Sequence, residues 1–315
     1  MKAIVHHEYG SADVLHLQEV PKPAPKADQI LVKIYATTVN RTDTGLRSCE
    51  YFISRLFTGL FKPKFQIWGS EFAGVVVEVG QSVQKFKIGN EVFGLSADTF
   101  GAHAEYLAVS ENGSVAHKPR NLSFAEAAAI CEGPYLALNY LEKVKLGPQH
   151  QILINGASGS IGSSGVQLAK YFGAAVTAVT DTKNLALARS LGADVVIDYT
   201  QEDFTQRAHR FDFVFDAVGK SSFFKCKPLL KPNGVYFSTE LGYLSQNVYL
   251  PLFTKQIIFP IPKDTQQQIE LFKEMAEAGQ LRAVIDRTYP LEDTAQAHRY
   301  VEKGMKVGSV VVRVV

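Results

Sequence analysis

The chain is 315 residues long, 46% hydrophobic and 20% charged, with a formal net charge of +2. That length allows two domains with separate cores, the small charge argues against nucleic acid as a partner, and no apolar run is long enough to span a bilayer. The three well-separated cysteines, Cys49, Cys131 and Cys226, exclude a four-cysteine zinc lobe and suit a reducing compartment; with no apolar leader in MKAIVHHEYG, the expected location is cytoplasmic.

Residues 1 to about 118 read as β structure. Ala3-Ile4-Val5 and Val14 to Leu17 are short strands, and Pro21, Pro23 and Pro25 make an extended connector. Ile30 to Ile34 alternates as a half-buried strand does. Ala73 to Val79 is a β-branched run closed by Gly80, and Val92 to Gly94 and Ala104 to Val109 continue the pattern. Many short strands with glycine turns predict a compact barrel. The character changes near Asn121. Ser123 with Glu126 forms a capping box opening a helix over Phe124 to Ile130, and Pro134 starts a second through Leu141. From Gln151 onward strands and helices alternate, which predicts a doubly wound parallel sheet. Its strands are Ile152 to Ile154, Val176 to Val179, Val195 to Ile197, Phe211 to Ala217 and Gly234 to Thr239. Glu270 to Ala278 and Leu291 to Lys303 are the last helices, before a final strand from Ser309.

The segment around which the second half is organised is Gly156-Ala157-Ser158-Gly159-Ser160-Ile161-Gly162, between an apolar strand and an amphipathic helix. It is the dinucleotide fingerprint G-x-G-x-x-G with alanine at the first position. Gly159 and Gly162 let backbone approach a pyrophosphate and let helix pack on strand, and the free N–H groups at the helix start hold phosphates. An ordinary strand–turn–helix corner is the alternative. The fingerprint lies mid-chain, and no tyrosine has a lysine four residues later, which removes the short-chain reductase pattern.

Further stretches carry a resemblance over essentially the whole chain. They are Thr38-Val39-Asn40-Arg41-Thr42-Asp43, Gly69-Ser70-Glu71-Phe72-Ala73-Gly74, Gly89-Asn90-Glu91-Val92-Phe93-Gly94, the NGASGSIG turn, Ser190-Leu191-Gly192-Ala193-Asp194 and Val307-Gly308-Ser309-Val310-Val311. With these the chain resembles the medium-chain dehydrogenase/reductase superfamily, in its zinc-independent quinone oxidoreductase-like branch. The resemblance implies an α/β fold: a doubly wound parallel Rossmann sheet plus a GroES-like β-barrel domain. The barrel is expected over residues 1–119, completed by 285–315, and the nucleotide domain over 120–284. Arg41 and Ser70 stand where the zinc branch has a cysteine and a histidine. His103, Glu71 and Asp43 lack matching partners, so no metal is expected. Without a Lewis acid, reduction of an already electrophilic acceptor fits better than alcohol oxidation: a quinone, or the C=C bond of an α,β-unsaturated carbonyl. A carbonyl/alcohol oxidoreductase and a nucleotide-binding sensor or structural protein with little turnover are the competing readings.

The resemblance also places residues. Asn40 and Asp43 line the cleft, with a helix cap as the simpler reading for both. Tyr51, Tyr135 or water supplies the closing proton. Ser158, Ser160 and Ile161 lie with the fingerprint glycines under the pyrophosphate and nicotinamide. Ala217, Val218 and Gly219, then Ser238, Thr239 and Leu241, are strand ends at the cofactor, and Phe259 reaches toward the nicotinamide. Thr180, Thr182 and Lys183 match a grip on a 2′-phosphate, with Tyr199 beside it and Lys306 adding positive charge. Asp181 objects, because an acid at this place accepts from a ribose 2′-OH and favours NADH. The expectation is NADPH, with Asp181 as a local cap. The aromatic and basic stretch from Tyr51 to Phe65 reads either as a lid for a bulky apolar acceptor, with affinity for an anionic membrane surface, or as a helix and loop packed on the barrel. A homodimer is what the family suggests.

Overall fold

The computed structural model describes residues 1–50, 54–242 and 245–315. In chain order these form β1 (Lys2–Val5), β2 (His16–Glu19), β3 (Gln29–Val39), α1 (Arg41–Ser48), α2 (Arg55–Thr58), β4 (Glu71–Val79), β5 (Glu91–Leu95), β6 (Tyr106–Ser110), β7 (Ser114–His117), α3 (Phe124–Ala128) and α4 (Glu132–Lys143). They continue with β8 (Gln151–Asn155), α5 (Ser160–Tyr171), β9 (Ala175–Thr180), α6 (Leu185–Ser190), β10 (Val195–Asp198), β11 (Phe211–Asp216), α7 (Phe223–Cys226), β12 (Leu230–Ser238), α8 (Gln246–Tyr249) and β13 (Ile257–Ile258). The chain closes with α9 (Gln266–Glu277), β14 (Ile285–Pro290), α10 (Thr294–Glu302) and β15 (Ser309–Arg313).

Two compact units result: Met1–Glu132 with Asp264–Val315, and Gly133–Lys263. The breaks differ from the expected 119/120 and 284/285 because two helices near the junctions belong to the barrel unit. α3 packs on β3 and β4, and α9 packs on β7. Asn121 Nδ2 donates to the Ala276 carbonyl at 2.8 Å, and Gln266 donates to the Glu111 and Val115 carbonyls. Composition changes at Asn121, but packing changes later.

In the barrel unit β3 is the longest strand, eleven residues, and it serves three neighbours. β4 and β6 pair with it antiparallel, and β15 returns to cover its end, with Val310 opposite Val39 and Arg313 opposite Ala36. β14 lies parallel to β15, and β5 and β7 extend the far side. The interior is apolar: Ile30, Val32, Ile34, Phe72, Val76, Val92 and Val115 are buried together, and each Å² of apolar surface so removed from water stabilises the fold by about 25 cal/mol. The closing strand is encoded by Ser309-Val310-Val311-Val312, a β-branched run that suits a pleated, buried position.

The other unit holds six parallel strands in the order β10-β9-β8-β11-β12-β13. Counted in sequence this is 3-2-1-4-5-6, the doubly wound arrangement whose strand order reverses between the first and fourth strands. β8 is central, buried on both faces through Ile152, Leu153 and Ile154. Asn155 at its end donates to Asp216 at the end of β11, 3.0 Å, and the two residues are register partners. The carboxyl edge between β8 and β11 is therefore the switch point, where such sheets take ligands.

Several local expectations shift. Val14 belongs to a short 3-10 turn, Ala12–Val14, capped by Ser11, and the strand begins at His16. α9 begins at Gln266, four residues before Glu270, because Thr265 and Gln268 make a capping box. Leu291–Asp293 is a 3-10 turn ahead of α10.

Candidate active site

The fingerprint is built as the spacing requires. Gly156 takes a left-handed φ of +81°, a conformation open to glycine, and the Ala157 and Gly156 N–H groups both donate to the Val179 carbonyl at 3.0 Å. The end of β9 is thereby tied to the turn. Gly159 is the N-cap of α5 and provides no side-chain cap. The first-turn N–H groups of any helix lack intrahelical acceptors, so a glycine cap leaves them to a ligand. A Cβ on Gly162 would stand 2.1 Å from the Gly156 oxygen, backbone against backbone, whereas a Cβ on Gly159 would be 3.5 Å from it. Gly162 thus closes the turn, and Gly159 leaves a face open. Val218 covers Gly156, since a Cβ there would strike its side chain at 2.3 Å.

The predicted cofactor residues of this unit gather along the same edge. Ser158, Ser160 and Ile161 are half-buried at the turn. Thr180 ends β9 almost wholly buried, and its hydroxyl has no hydrogen-bond partner among the described residues. The Tyr199 N–H donates to the Thr180 carbonyl, and its side chain is exposed beside the exposed Thr182 and Lys183. Asp181 precedes the 3-10 turn Thr182–Asn184, and its carboxylate accepts from Asn184 Nδ2 at 2.5 Å. A neighbour that sequence reading missed is Asp198. It accepts from the Thr182 and Thr200 hydroxyls, which hold its carboxyl below the usual range. Ala217 and Ser238 are buried strand ends, while Val218, Gly219, Thr239, Leu241 and Phe259 are half-buried and closer to the surface. The orphaned Thr180 hydroxyl and the glycine turn fit a dinucleotide.

Tyr135 lies on α4, largely buried, and its carbonyl accepts from Asn139 Nδ2. Tyr51 lies outside the described residues.

The barrel unit contributes a second constellation. Asn40 and Asp43 form a capping box at the start of α1. Asn40 Oδ1 accepts the Asp43 N–H at 2.8 Å, and Asp43 Oδ2 accepts the Asn40 N–H at 3.1 Å. The simpler reading of these two residues is what the structure contains. The Asn40 amide N–H groups point elsewhere, to the Ser70 hydroxyl at 3.3 Å and toward Glu71. Around them lies a buried acidic group that sequence reading only touched. Glu71 Oε2 accepts the Thr38 hydroxyl, and Oε1 accepts the Glu132 N–H at 2.7 Å. Burial pushes the Asp43 carboxyl up to about 7, with Glu71 adding repulsion, and burial likewise raises Glu71 and Glu132. Lys306, donating to the Gly308 carbonyl, is the nearby cation, and burial lowers it despite the field of Glu132 and Glu71. Its described partners are therefore these acids and Asp286, all in the barrel unit. Glu132 left no mark in the sequence beyond opening a helix, and only packing places it against Glu71.

Comparison with known proteins gives a consistent result. The profile described as "Alcohol dehydrogenase GroES-like domain" matches residues 26–120, and one described as "Zinc-binding dehydrogenase" matches 191–312. The chain is 36% identical over 324 residues to a 2-methylene-furan-3-one reductase of Solanum lycopersicum, an alignment covering 99% of this chain and 79% of the relative. The chain belongs to the medium-chain dehydrogenase/reductase superfamily, in its quinone oxidoreductase-like branch. Within that superfamily it is also 33% identical to a chloroplastic NADPH-dependent alkenal/one oxidoreductase of Arabidopsis thaliana, with 99% and 79% coverage. A solved quinone oxidoreductase from Coxiella burnetii superposes with a TM-score of 0.89 at 27% identity, covering 100% of this chain and 99% of that one.

One profile that matches this superfamily member carries zinc in its description, and the candidate donors Asp43, Glu71 and His103 lie in the barrel unit. Both Asp43 oxygens accept backbone N–H groups, from Asn40 and Gly69. His103 Nε2 donates to the Thr38 carbonyl at 2.8 Å, and both Glu71 oxygens are bonded. Asp43, Glu71 and His103 Nε2 are thus engaged in hydrogen bonds within the barrel unit, while His103 Nδ1 has no partner among the described residues, and the described residues include no group of three that could hold a metal ion. Among the described residues no helix is long and apolar enough to cross a membrane.

Proposed function

We propose that the protein is a zinc-independent, NADPH-dependent oxidoreductase that reduces quinones or the C=C bond of α,β-unsaturated carbonyls. The observation that carries this is the glycine turn at the switch point, with Gly159 leaving the α5 N-terminus uncapped. The relatives named for alkenal/one and furanone reduction supply the acceptor class.

Bound, a reduced nicotinamide supplies a hydride, which is the cofactor's own chemistry. The chain's part is to hold and orient. The first-turn N–H groups from Ser160 to Gly162 take the pyrophosphate. Thr180, Thr182, Lys183 and Tyr199 take the adenosine end, and Val218, Gly219, Thr239, Leu241 and Phe259 take the remainder. Asp181, held by Asn184, acts as a local brace, which supports NADPH over NADH; Asp198 opposes it by adding a second negative charge. Asn40 and Asp43 contribute by fixing the start of α1 and the neighbouring Ser70 and Glu71. Stabilising negative charge that develops on the acceptor oxygen lowers the barrier without a metal. A carboxyl poised near neutrality, such as Asp43, is the kind of group that exchanges protons at working pH. A reducing compartment is part of this reading, none of the three cysteines forming a disulfide.

The test follows nicotinamide absorbance with a panel of quinones, enones and simple ketones. Consumption with quinones or enones, insensitive to chelators, is expected. Turnover restricted to ketones or alcohols, or dependent on added zinc, would replace this assignment, and binding without turnover would favour the sensor alternative.

A further inference from the structure

In the nucleotide unit β9 and β10 end side by side. Asp198, the last residue of β10, is the register partner of Thr180, the last residue of β9. The end of the second strand of such a sheet is where the ribose 2′ position is read, by an acid that accepts from the hydroxyl or by a nearby cation that takes a phosphate. Two acids stand at this edge, and their hydrogen bonds separate their roles. Asp181 turns to its own segment, since Asn184 Nδ2 donates to its carboxylate. Asp198 reaches across to Thr182, one of the residues expected to grip a phosphate. Its Oδ2 accepts the Thr182 hydroxyl, and its Oδ1 accepts the Thr200 hydroxyl at 2.7 Å and the Thr200 N–H at 2.9 Å. These donors, with no cation among them, hold the Asp198 carboxyl below the usual range. Glu202 also feels its charge, so the edge is acidic.

A threonine hydroxyl has one hydrogen to give. The Thr182 and Thr200 oxygens lie 3.0 Å apart, yet each gives its hydrogen to Asp198 rather than to the other, because a hydrogen bond to an ionised acceptor is about twice as strong as a neutral one. Both oxygens then present only lone pairs to a ligand. A phosphate also offers only lone pairs, so it gains nothing from Thr182 and meets the charge of Asp198. A ribose hydroxyl can donate to the threonines or to the carboxylate. Lys183 and Tyr199, exposed alongside, are the groups that favour the phosphate.

We propose that Asp198, acting through Thr182, sets the ratio of NADPH to NADH affinity and holds it below what Lys183 and Tyr199 would otherwise give. This rests on the reading of the glycine turn as a dinucleotide cradle and adds which residue decides between the two nucleotides.

Calorimetric titration of the intact protein tests it without turnover, using two ligand pairs: NADPH with NADH, and adenosine 2′,5′-bisphosphate with adenosine 5′-monophosphate. Asp198→Asn keeps the shape and removes the charge. Its Oδ1 still accepts the Thr200 N–H, so its amide nitrogen donates to the Thr182 oxygen and frees the Thr182 hydrogen. Preference for the 2′-phosphorylated member of each pair should rise about ten-fold, the effect of one gained charge-assisted hydrogen bond. Thr182→Val should leave the wild-type preference nearly unchanged and should cancel most of the gain in Asp198→Asn, because only there is the hydroxyl hydrogen available. A merely structural role would move both members of a pair alike. Binding of both members by Asp198→Asn at an unchanged ratio, or a larger swing from Asp181→Ser, would overturn the proposal and leave the dinucleotide reading standing. A wild-type protein that binds neither NADPH nor NADH would overturn that reading, and the proposal with it.

Discussion

Replacing Gly162 by alanine tests the cofactor cradle more sharply than any other single change. The added Cβ would stand 2.1 Å from the Gly156 oxygen and 2.7 Å from its carbon, while ordinary contact begins at 3.4 Å. The start of α5 must therefore retreat from the turn by 3.4 − 2.1 = 1.3 Å. Both sides of the clash are backbone, so no rotamer relieves it. Overpacking of this kind destabilises by about 1–3 kcal/mol. The larger effect falls on binding. A displacement of that size breaks hydrogen bonds from first-turn N–H groups to phosphate, each contributing about 1.5–3 kcal/mol to a charged acceptor. Losing two weakens binding by about 3–6 kcal/mol, a Kd roughly 10²–10⁴ times higher. Gly159→Ala is the control for fold. Its φ of −73° suits any residue, and its Cβ would have only ordinary neighbours at 3.5 and 4.0 Å. Its Tm should stay near wild type while nucleotide affinity falls, because the methyl group occupies the open face. The assay is calorimetric titration with NADPH and NADH on protein shown to be folded by circular dichroism. A folded Gly162→Ala variant that binds nucleotide as tightly as wild type would refute the placement of the pyrophosphate on this turn.

Asp181→Ser should leave the ratio of kcat/KM for NADPH and NADH nearly unchanged, since Asn184 already occupies the carboxylate; a large swing toward NADPH would mean that Asp181 faces the ribose. Asp43 sets a pH signature: with a folded value of about 7 against an ordinary 3.8, its contribution to stability is complete below 3.8 and is lost as pH rises through 7. Relative to Asp43→Asn, wild type should lose about 4 kcal/mol across that window in urea denaturation, and a gain instead would show the carboxyl ionised in the folded state. Arg47→Met should lower stability by about 3 kcal/mol, because Arg47 is fully buried and joins Glu302, His298 and the Gly10 carbonyl; a Tm unchanged within error would show that α1 and α10 hold together without it. Phe57 and Phe61 are 76% and 87% exposed. If this surface receives a bulky acceptor, Phe57→Glu with Phe61→Glu should raise KM for long-chain enones and leave short ones alone, and an equal KM along an alkyl series would dispose of the lid.

The local chemistry of the nucleotide unit was legible in the residues. A glycine turn between an apolar strand and an amphipathic helix needs only neighbours in sequence, and so does the strand–helix alternation that gives the parallel sheet. The motif residues also told that Asn40 and Asp43 belong together, since a capping box spans three positions. What differs locally has local reasons: the Thr265–Gln268 cap opens a first turn of polar residues, Gln266 to Gln268, ahead of the first apolar one, and the 3-10 turn at Ala12–Val14 carries strand-like residues.

Long-range packing settled the rest. Nothing near Glu132 in sequence indicates that its N–H will meet Glu71, sixty-one positions away, or that both carboxyls will be buried beside Asp43. His6, His103 and His298 come from three distant segments, and Arg47 reaches His298 across 251 positions. Periodicity records which face of an element is apolar but carries no information about which other element it meets. Protonation states depend on burial and on charges supplied by those partners, so the strand–helix alternation and the turn could be read from the chain, while the strand order, the acidity of Asp43 and the packing of His6, His103 and His298 exist only once the chain has folded.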